Sequence, residues 1–251
     1  MIVQDIGELI ADAAGLPEAV GLRVGELVYG SGVTGCDPQT GEYRSGLTGQ
    51  VDTALTTIES YLRDLGGDLA AVVRVGFYLP DPSDIRIVNG VWTARFPNDR
   101  DRPTYKFMRS RFDGPQRVRL DFCAVLGQRR ECLYLPKVAH GNPIPMAVRM
   151  GGYLFTSRVL PLDPRSGAPG RDAPEQAAFA AANCDALLEM SGMSWRDVRQ
   201  GRAFAADSAY DELIRAQWRR RMDPAATAPP LRVTRYRAGA LGVLLEFIAA
   251  Q

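Results

Sequence analysis

Two charged side chains lie in otherwise apolar segments near the end of the chain, and together they could perform acid–base chemistry on a carboxylate substrate. Residues Pro229–Ala249 read as two extended segments joined by a turn that contains Gly239 and Gly242. The first segment carries Arg232 and the second carries Glu246. A guanidinium binds a carboxylate through two parallel hydrogen bonds, and a nearby acid can take a proton from an attacking water. The pair would suffice for the attack of water on an electrophilic imine carbon beside a carboxylate. This hydrolysis needs no metal or redox cofactor.

An altered copy of this stretch occurs in the first half of the chain. One segment contains Tyr105 and Lys106, and a later one contains Asp121 within Val118–Phe122. A charge inside a strand-like apolar run needs a partner or a purpose, because an unpaired buried charge is costly. For each of these charges, a structural ion pair is the competing interpretation.

A constant spacing relates the two halves of the chain. Residues Ser31–Gly41 match Ser157–Gly167 at an offset of 126, and the same offset relates several other pairs of identical residues. Near the end the offset becomes 125, so that Leu120–Phe122 corresponds to Leu245–Phe247. Self-similarity over so many residue types indicates an internal repeat.

The repeat predicts two homologous domains, at residues 1–135 and 136–251, that meet in a stretch rich in proline. Turn residues, alternating segments and helical stripes follow one another in the order ββαβαββ in each half. This order predicts an α+β domain in which two helices cover one face of a sheet. The first helix shows the clearest stripe, with apolar residues at helical spacing: Val51, Ala54, Leu55, Ile58, Leu62 and Leu65.

The bulk composition excludes several classes of protein. The chain has 251 residues and a net charge of +1, so no general field attracts nucleic acid or an anionic membrane. Its four cysteines form no CxxC pattern, which favours reduced thiols and a cytoplasmic location. The single histidine, His140, excludes any site that needs two imidazoles from one chain. In its proline- and glycine-rich surroundings we expect it to have no catalytic part unless it borders a cleft.

Taken together, the motifs resemble the Rid (YjgF) superfamily. The resemblance rests on order and spacing: a Ser-Gly strand end, an Asp-Pro turn, an Ala-rich helix ending at glycine, a Pro-x-Arg segment and an acidic last strand. Both halves show it. It implies a chorismate-mutase-like fold, trimeric rings with clefts between units, and hydrolysis of reactive enamines and imines to ketones and ammonia. In that family an arginine holds the substrate carboxylate and a glutamate on the last strand assists the attacking water.

Carried over position by position, the family pattern assigns catalytic roles to Arg232 and Glu246. The second half departs from it at Arg158, where glycine is usual. In the first half the arginine position falls on Tyr105 or Lys106, and the sequence leaves both open. The remaining candidates are residues expected to bind substrate: Ser157, Ser31, Asn89, Tyr105, Lys106, Asp121 and Arg215.

The leading functional hypothesis is a hydrolytic deaminase of an imine or enamine derived from an amino acid. A chorismatase-like hydrolase is an alternative, because Lys106, Arg158 and Arg215 could hold a second carboxylate. A further alternative is a non-catalytic Rid-type protein that binds a ligand or supports a partner enzyme. We expect a small carboxylate substrate, no cofactor, no nucleic acid and no membrane. Because one chain supplies two units, we also expect a homotrimer that behaves as a pseudo-hexamer.

Overall fold

A computed structural model describes residues 3–5, 20–222, 230–236, 239 and 241–251. Pro229 and residues 237, 238 and 240 of the predicted turn therefore lie outside the described residues. The chain divides into two compact units, Met1–Arg130 and Glu131–Gln251. The predicted boundary at residues 135 and 136 lies slightly further along the chain and stays a prediction.

In the described part of the first unit, six strands form one sheet in the order β1-β2-β3-β6-β4-β5. Neighbouring strands pair antiparallel except β4 and β5, which run parallel at one edge. The strand bounds are β1 Val3–Asp5, β2 Val20–Val24, β3 Leu27–Thr34, β4 Val72–Leu79, β5 Thr104–Arg109 and β6 Arg119–Val125.

The first unit has two helices, α1 (Gly46–Asp64) and α2 (Ile85–Arg95), and each has one buried face. The predicted stripe of α1 is confirmed for its members from Val51 to Leu62, which are completely buried, whereas Leu65 follows the helix and is partly exposed. Gly66 follows α1 with a positive φ of 83°, a conformation that glycine adopts without strain at the end of a helix. Trp92 of α2 is also completely buried, where its ring meets aromatic side chains of β4 and β5.

The described part of the second unit repeats this arrangement strand for strand. Its sheet order, β11-β10-β12-β9-β8-β7, is the first order read from the opposite edge. Again one pair, β10 and β11, is parallel. The strands are β7 Arg130–Leu133, β8 Ala147–Met150, β9 Tyr153–Thr156, β10 Val198–Ala205, β11 Leu231–Arg235 and β12 Val243–Ala250.

Helices α3 (Ala173–Met190) and α4 (Ala209–Arg221) complete the second unit. The Asp172 carboxylate accepts a hydrogen bond from the backbone N–H of Glu175 at 2.9 Å, which caps the start of α3. The predicted α+β fold is confirmed, with the order ββαβαββ in each unit. Each sheet also has a short additional edge strand, β1 or β7, which the sequence pattern did not predict.

Candidate active site

Each sheet has one face turned toward its helices and one face turned away, here called the open face. In the second unit, Ala203, Leu245 and Phe247 belong to the apolar cluster that includes helix residues. Side chains alternate along a strand, so Arg202 and Glu246 point to the open face.

One row of side chains crosses three neighbouring strands of the second open face. Arg202 on β10 is the register partner of Glu246 on β12 and of Arg232 on β11. We call Glu246, Arg202 and Arg232 the second row. Glu246 is only 4% exposed, and its Oε1 lies 3.9 Å from Nε of Arg202. Arg232 is exposed, and no ion pair of Arg232 occurs among the described residues. The predicted arginine and acid are thus on one face, with a second arginine between them.

Ser157 and Arg158 lie opposite Glu246, where the pairing of β9 with β12 becomes irregular. Thr156 exchanges hydrogen bonds with the backbone of Phe247, and Val159 forms a bridge with Leu245. The two residues between Thr156 and Val159 therefore lie beside Glu246 on the adjoining segment.

The Ser157 hydroxyl bonds two groups. Its Oγ lies 2.5 Å from Nε2 of His140 and 2.9 Å from the carbonyl oxygen of Met146. Burial, together with the nearby Arg158 guanidinium, lowers the pKa of His140 to about 4. The imidazole is therefore neutral near pH 7. When Ser157 donates its single proton to Met146, the imidazole must donate to Ser157 in turn, an arrangement that holds the serine in place rather than activating it.

The Arg158 guanidinium lies over two aromatic rings of the same face, which pack edge to face against each other. It lies 4.5 Å from the ring centroid of Phe204 on β10 and 4.5 Å from that of Tyr236, which follows β11. A guanidinium over an aromatic face is an attractive contact. It links the segment after β9 to the end of the strand that carries Arg232.

The first open face contains the corresponding row. Gly76 on β4 is the register partner of Asp121 on β6 and of Lys106 on β5. We call Asp121, Gly76 and Lys106 the first row. Lys106, and not Tyr105, therefore occupies the position of Arg232, which also follows from the offset of 126.

The acid of the first row is held by hydroxyl groups. Ser31 donates to Oδ1 of Asp121 at 2.5 Å, and Tyr78 donates to Oδ2 at 2.7 Å. Burial first, and then the bond to Asp121, raises the pKa of Tyr78. The Arg119 guanidinium lies 4.5 Å from the Tyr78 ring. Each carboxylate oxygen of Asp121 thus accepts a hydrogen bond from a hydroxyl group.

The structure does not bring all predicted residues to these rows. Tyr105 is 3% exposed, packs against Trp92 on the helix side, and donates a hydrogen bond to Asn89 of α2. Burial raises the pKa of Tyr105. Arg215 is an exposed residue of α4. The predicted role of these three residues in substrate binding stays a prediction.

Sequence reasoning overlooked Arg202 and gave His140 no part. A signal for Arg202 existed, because the offset of 126 relates it to Gly76 and so places a charge where the other unit has no side chain. Among the described residues, no group of three His, Cys, Asp or Glu side chains could hold a metal ion. In the same part of the chain, no helix is long and apolar enough to span a bilayer.

Comparisons with known proteins assign the family. Residues 11–109 match the model of the family described as Endoribonuclease L-PSP. The chain is 32% identical over 88 residues to Reactive Intermediate Deaminase A, chloroplastic, of Arabidopsis thaliana, which is 35% of this chain and 47% of that protein. It is 30% identical over 96 residues to RutC family protein y4sK of Sinorhizobium fredii, which is 38% of this chain and 76% of that protein. The chain belongs to the Rid superfamily. The predicted family is therefore confirmed.

A solved structure extends the likeness beyond a single Rid unit. A chorismatase crystal structure is similar over 93% of this Rid chain and 78% of its own length, with a TM-score of 0.63 and 15% identity. At this identity the likeness concerns the fold alone. It agrees with the two-sheet architecture of this Rid protein.

Proposed function

We propose that this Rid protein is a hydrolytic deaminase, which converts the imine or enamine of a small carboxylate to a ketone and ammonia at the second row. The observation that carries the proposal is the placement of Arg232, Arg202 and Glu246 in register on one sheet face. The name of the chloroplast relative, a reactive intermediate deaminase, supports the reaction class.

In this mechanism Arg232 binds the substrate carboxylate through paired hydrogen bonds and so orients the adjacent C=N carbon. Glu246 takes a proton from water as the water oxygen bonds to that carbon, and it passes this proton to the imine nitrogen. In the resulting carbinolamine Glu246 takes the hydroxyl proton and transfers it to the amine, the C–N bond breaks, and ammonia leaves. One imine and one water thus give one ketone and one ammonia.

The test is ammonia release from 2-imino acids that an amino-acid oxidase generates in situ, corrected for spontaneous hydrolysis. Losing a charge-assisted pair of hydrogen bonds in Arg232→Ala should lower kcat/KM about 30- to 150-fold. Glu246→Gln should lower kcat about 10²- to 10⁴-fold. Arg235→Ala is the matched control, because Arg235 lies on the same strand but pairs with Asp211 of α4. Equal activity of the wild-type protein and Arg232→Ala would refute the proposal.

A second candidate is hydrolysis of a chorismate-type dicarboxylate. The observation that favours it is the adjacency of Arg202 and Arg232, since two guanidinium groups could hold two carboxylates. Loss of chorismate absorbance in the presence of the protein, without ammonia release from any imine, would establish this candidate in place of the first.

We further propose the homotrimer expected from the family resemblance, with six units in three chains. The two units in each chain support it, because one chain cannot complete a three-unit ring. A molar mass of a single chain, measured by light scattering, would exclude it.

We also propose a cytoplasmic location. All four cysteines are free thiols in the described structure, which suits a reducing compartment. Fractionation of the source cells, followed by detection of the protein outside the cytoplasm, would contradict this location.

A further inference from the structure

We propose that Arg202 is a positioning residue for Glu246, which holds this acid ionised for proton transfer and makes no contact with the substrate. The inference rests on the proposed function and deepens it. It assigns the two arginines of the second row different tasks, with Arg232 binding the substrate and Arg202 serving the acid.

The first argument is a set of three coordinated differences between the units. Asp121 in the first row is held by the hydroxyls of Ser31 and Tyr78. The counterpart of Tyr78 at the offset of 126 is Phe204, which has no hydroxyl. The counterpart of Ser31 is Ser157, whose hydroxyl is directed to another pair of groups.

Those groups are the imidazole of His140 and the carbonyl of Met146. The acid of the second row has thus lost both of the hydroxyl donors that hold the acid of the first. At the position between the acid and the outer cation, Gly76 of the first row is replaced by Arg202. A cation has appeared where two donors were lost, which is what a buried carboxylate requires.

The second argument is the geometry of the contact. Nε of Arg202 lies 3.9 Å from Oε1 of Glu246, which is beyond hydrogen-bonding distance. The guanidinium therefore favours the charged form of the acid through space and not through a hydrogen bond.

The other charged groups around Glu246 are less well placed for this task. Arg232 lies one strand beyond Arg202 and is exposed. The Arg158 guanidinium lies over the rings of Phe204 and Tyr236, and His140 is neutral near pH 7 and bonded to Ser157. Arg202 is the cation that the strand register places directly beside the acid.

The experiment compares the wild-type protein with Arg202→Met and Arg202→Lys on a monocarboxylic 2-imino acid. In Arg202→Met we expect KM to change less than about twofold. We expect the acidic limb of the pH profile of kcat to move to higher pH by about 1 unit or more, because a neighbouring opposite charge lowers the pKa of a carboxylate by about that much. Arg202→Lys should restore most of the wild-type profile. An increase in KM with an unmoved acidic limb would overturn the inference, since it would show that Arg202 binds the substrate.

A measurement without substrate separates this inference from the proposed function. Urea unfolding of wild type, Arg202→Met, Glu246→Gln and the double variant at neutral pH gives the coupling between the two side chains. We expect Arg202→Met to lower the unfolding midpoint in the Glu246 background and to change it little in the Gln background. Equal shifts in both backgrounds would overturn the pairing, whether or not imine hydrolysis is observed. Absence of imine hydrolysis in the wild-type protein, with the coupling present, would refute the proposed function alone.

Discussion

Replacing His140 by glutamine should remove much of the loss of stability that mild acid causes. Burial and Arg158 lower the pKa of this imidazole from 6.5 to about 4 in the folded protein. Between these values the unfolded chain binds a proton that the folded chain excludes, so the histidine lowers the free energy of unfolding as the pH falls. Its stabilising contribution is complete above pH 6.5 and is lost toward pH 4. At about pH 5 the loss amounts to about 2 kcal/mol.

The assay is urea unfolding of the wild-type protein and His140→Gln, both without a polyhistidine tag, at about pH 7.5 and pH 5. Carboxylates titrate in the same interval, but they are common to both proteins and cancel in the comparison. Glutamine can still donate a hydrogen bond to Ser157. We therefore expect His140→Gln to change the free energy of unfolding at about pH 7.5 less than it changes the difference in that free energy between the two pH values. His140 is the only histidine in the sequence, so one imidazole NMR resonance reports its protonation directly.

The reasoning fails if that resonance titrates with a midpoint near 6.5, the value of an unperturbed imidazole. It also fails if the free energies of unfolding of wild type and His140→Gln change in parallel between the two pH values. Either result would mean that the imidazole is solvated, and the contact of 2.5 Å with Ser157 would then have no influence on protonation.

Two further changes each test one contact within a single unit. Tyr78→Phe removes a donor to Asp121 and should lower the free energy of unfolding by about 1–3 kcal/mol while imine hydrolysis is retained, and equal urea midpoints would contradict this hydrogen bond. In Gly201→Ala the new Cβ would lie 2.1 Å from the Trp218 ring, so we expect a loss of about 2 kcal/mol or more in thermal unfolding. Gly152→Ala is its control, since that Cβ would meet its nearest neighbour at 3.5 Å, and a similar loss there would remove the steric explanation.

The sequence was a good guide to elements with a strong local signal. Helix α1 was predictable because a stripe of aliphatic residues from Val51 to Leu62 is compatible with one helical face only, and the structure buries that face. Strands β1 and β7 were not, because neither of these short segments is joined to its partner strand by the short glycine turn that marks the similarly short β8 and β9 as a hairpin.

The candidate site was predictable only where a residue stands out within its own stretch of sequence. Glu246 interrupts an apolar strand, so the cost of burying an unpaired charge marked it as a candidate. Arg232, which the structure leaves exposed, was marked as a candidate by the family resemblance. Their common neighbour Arg202 depends on pairing between strands that are distant in the chain, which no local pattern specifies. The contact of His140 with Ser157 depends on the course of an irregular segment, which local patterns predict least well.

The two rows have a consequence for genetics and stoichiometry. Because Asp121, Gly76 and Lys106 belong to the same polypeptide as Glu246, Arg202 and Arg232, the two kinds of row are always synthesised in equal numbers. A substitution in one row leaves the other unaltered within each molecule. One gene thus supplies two unlike surfaces whose ratio neither transcription nor assembly can change, and each surface is free to diverge while the other is under selection.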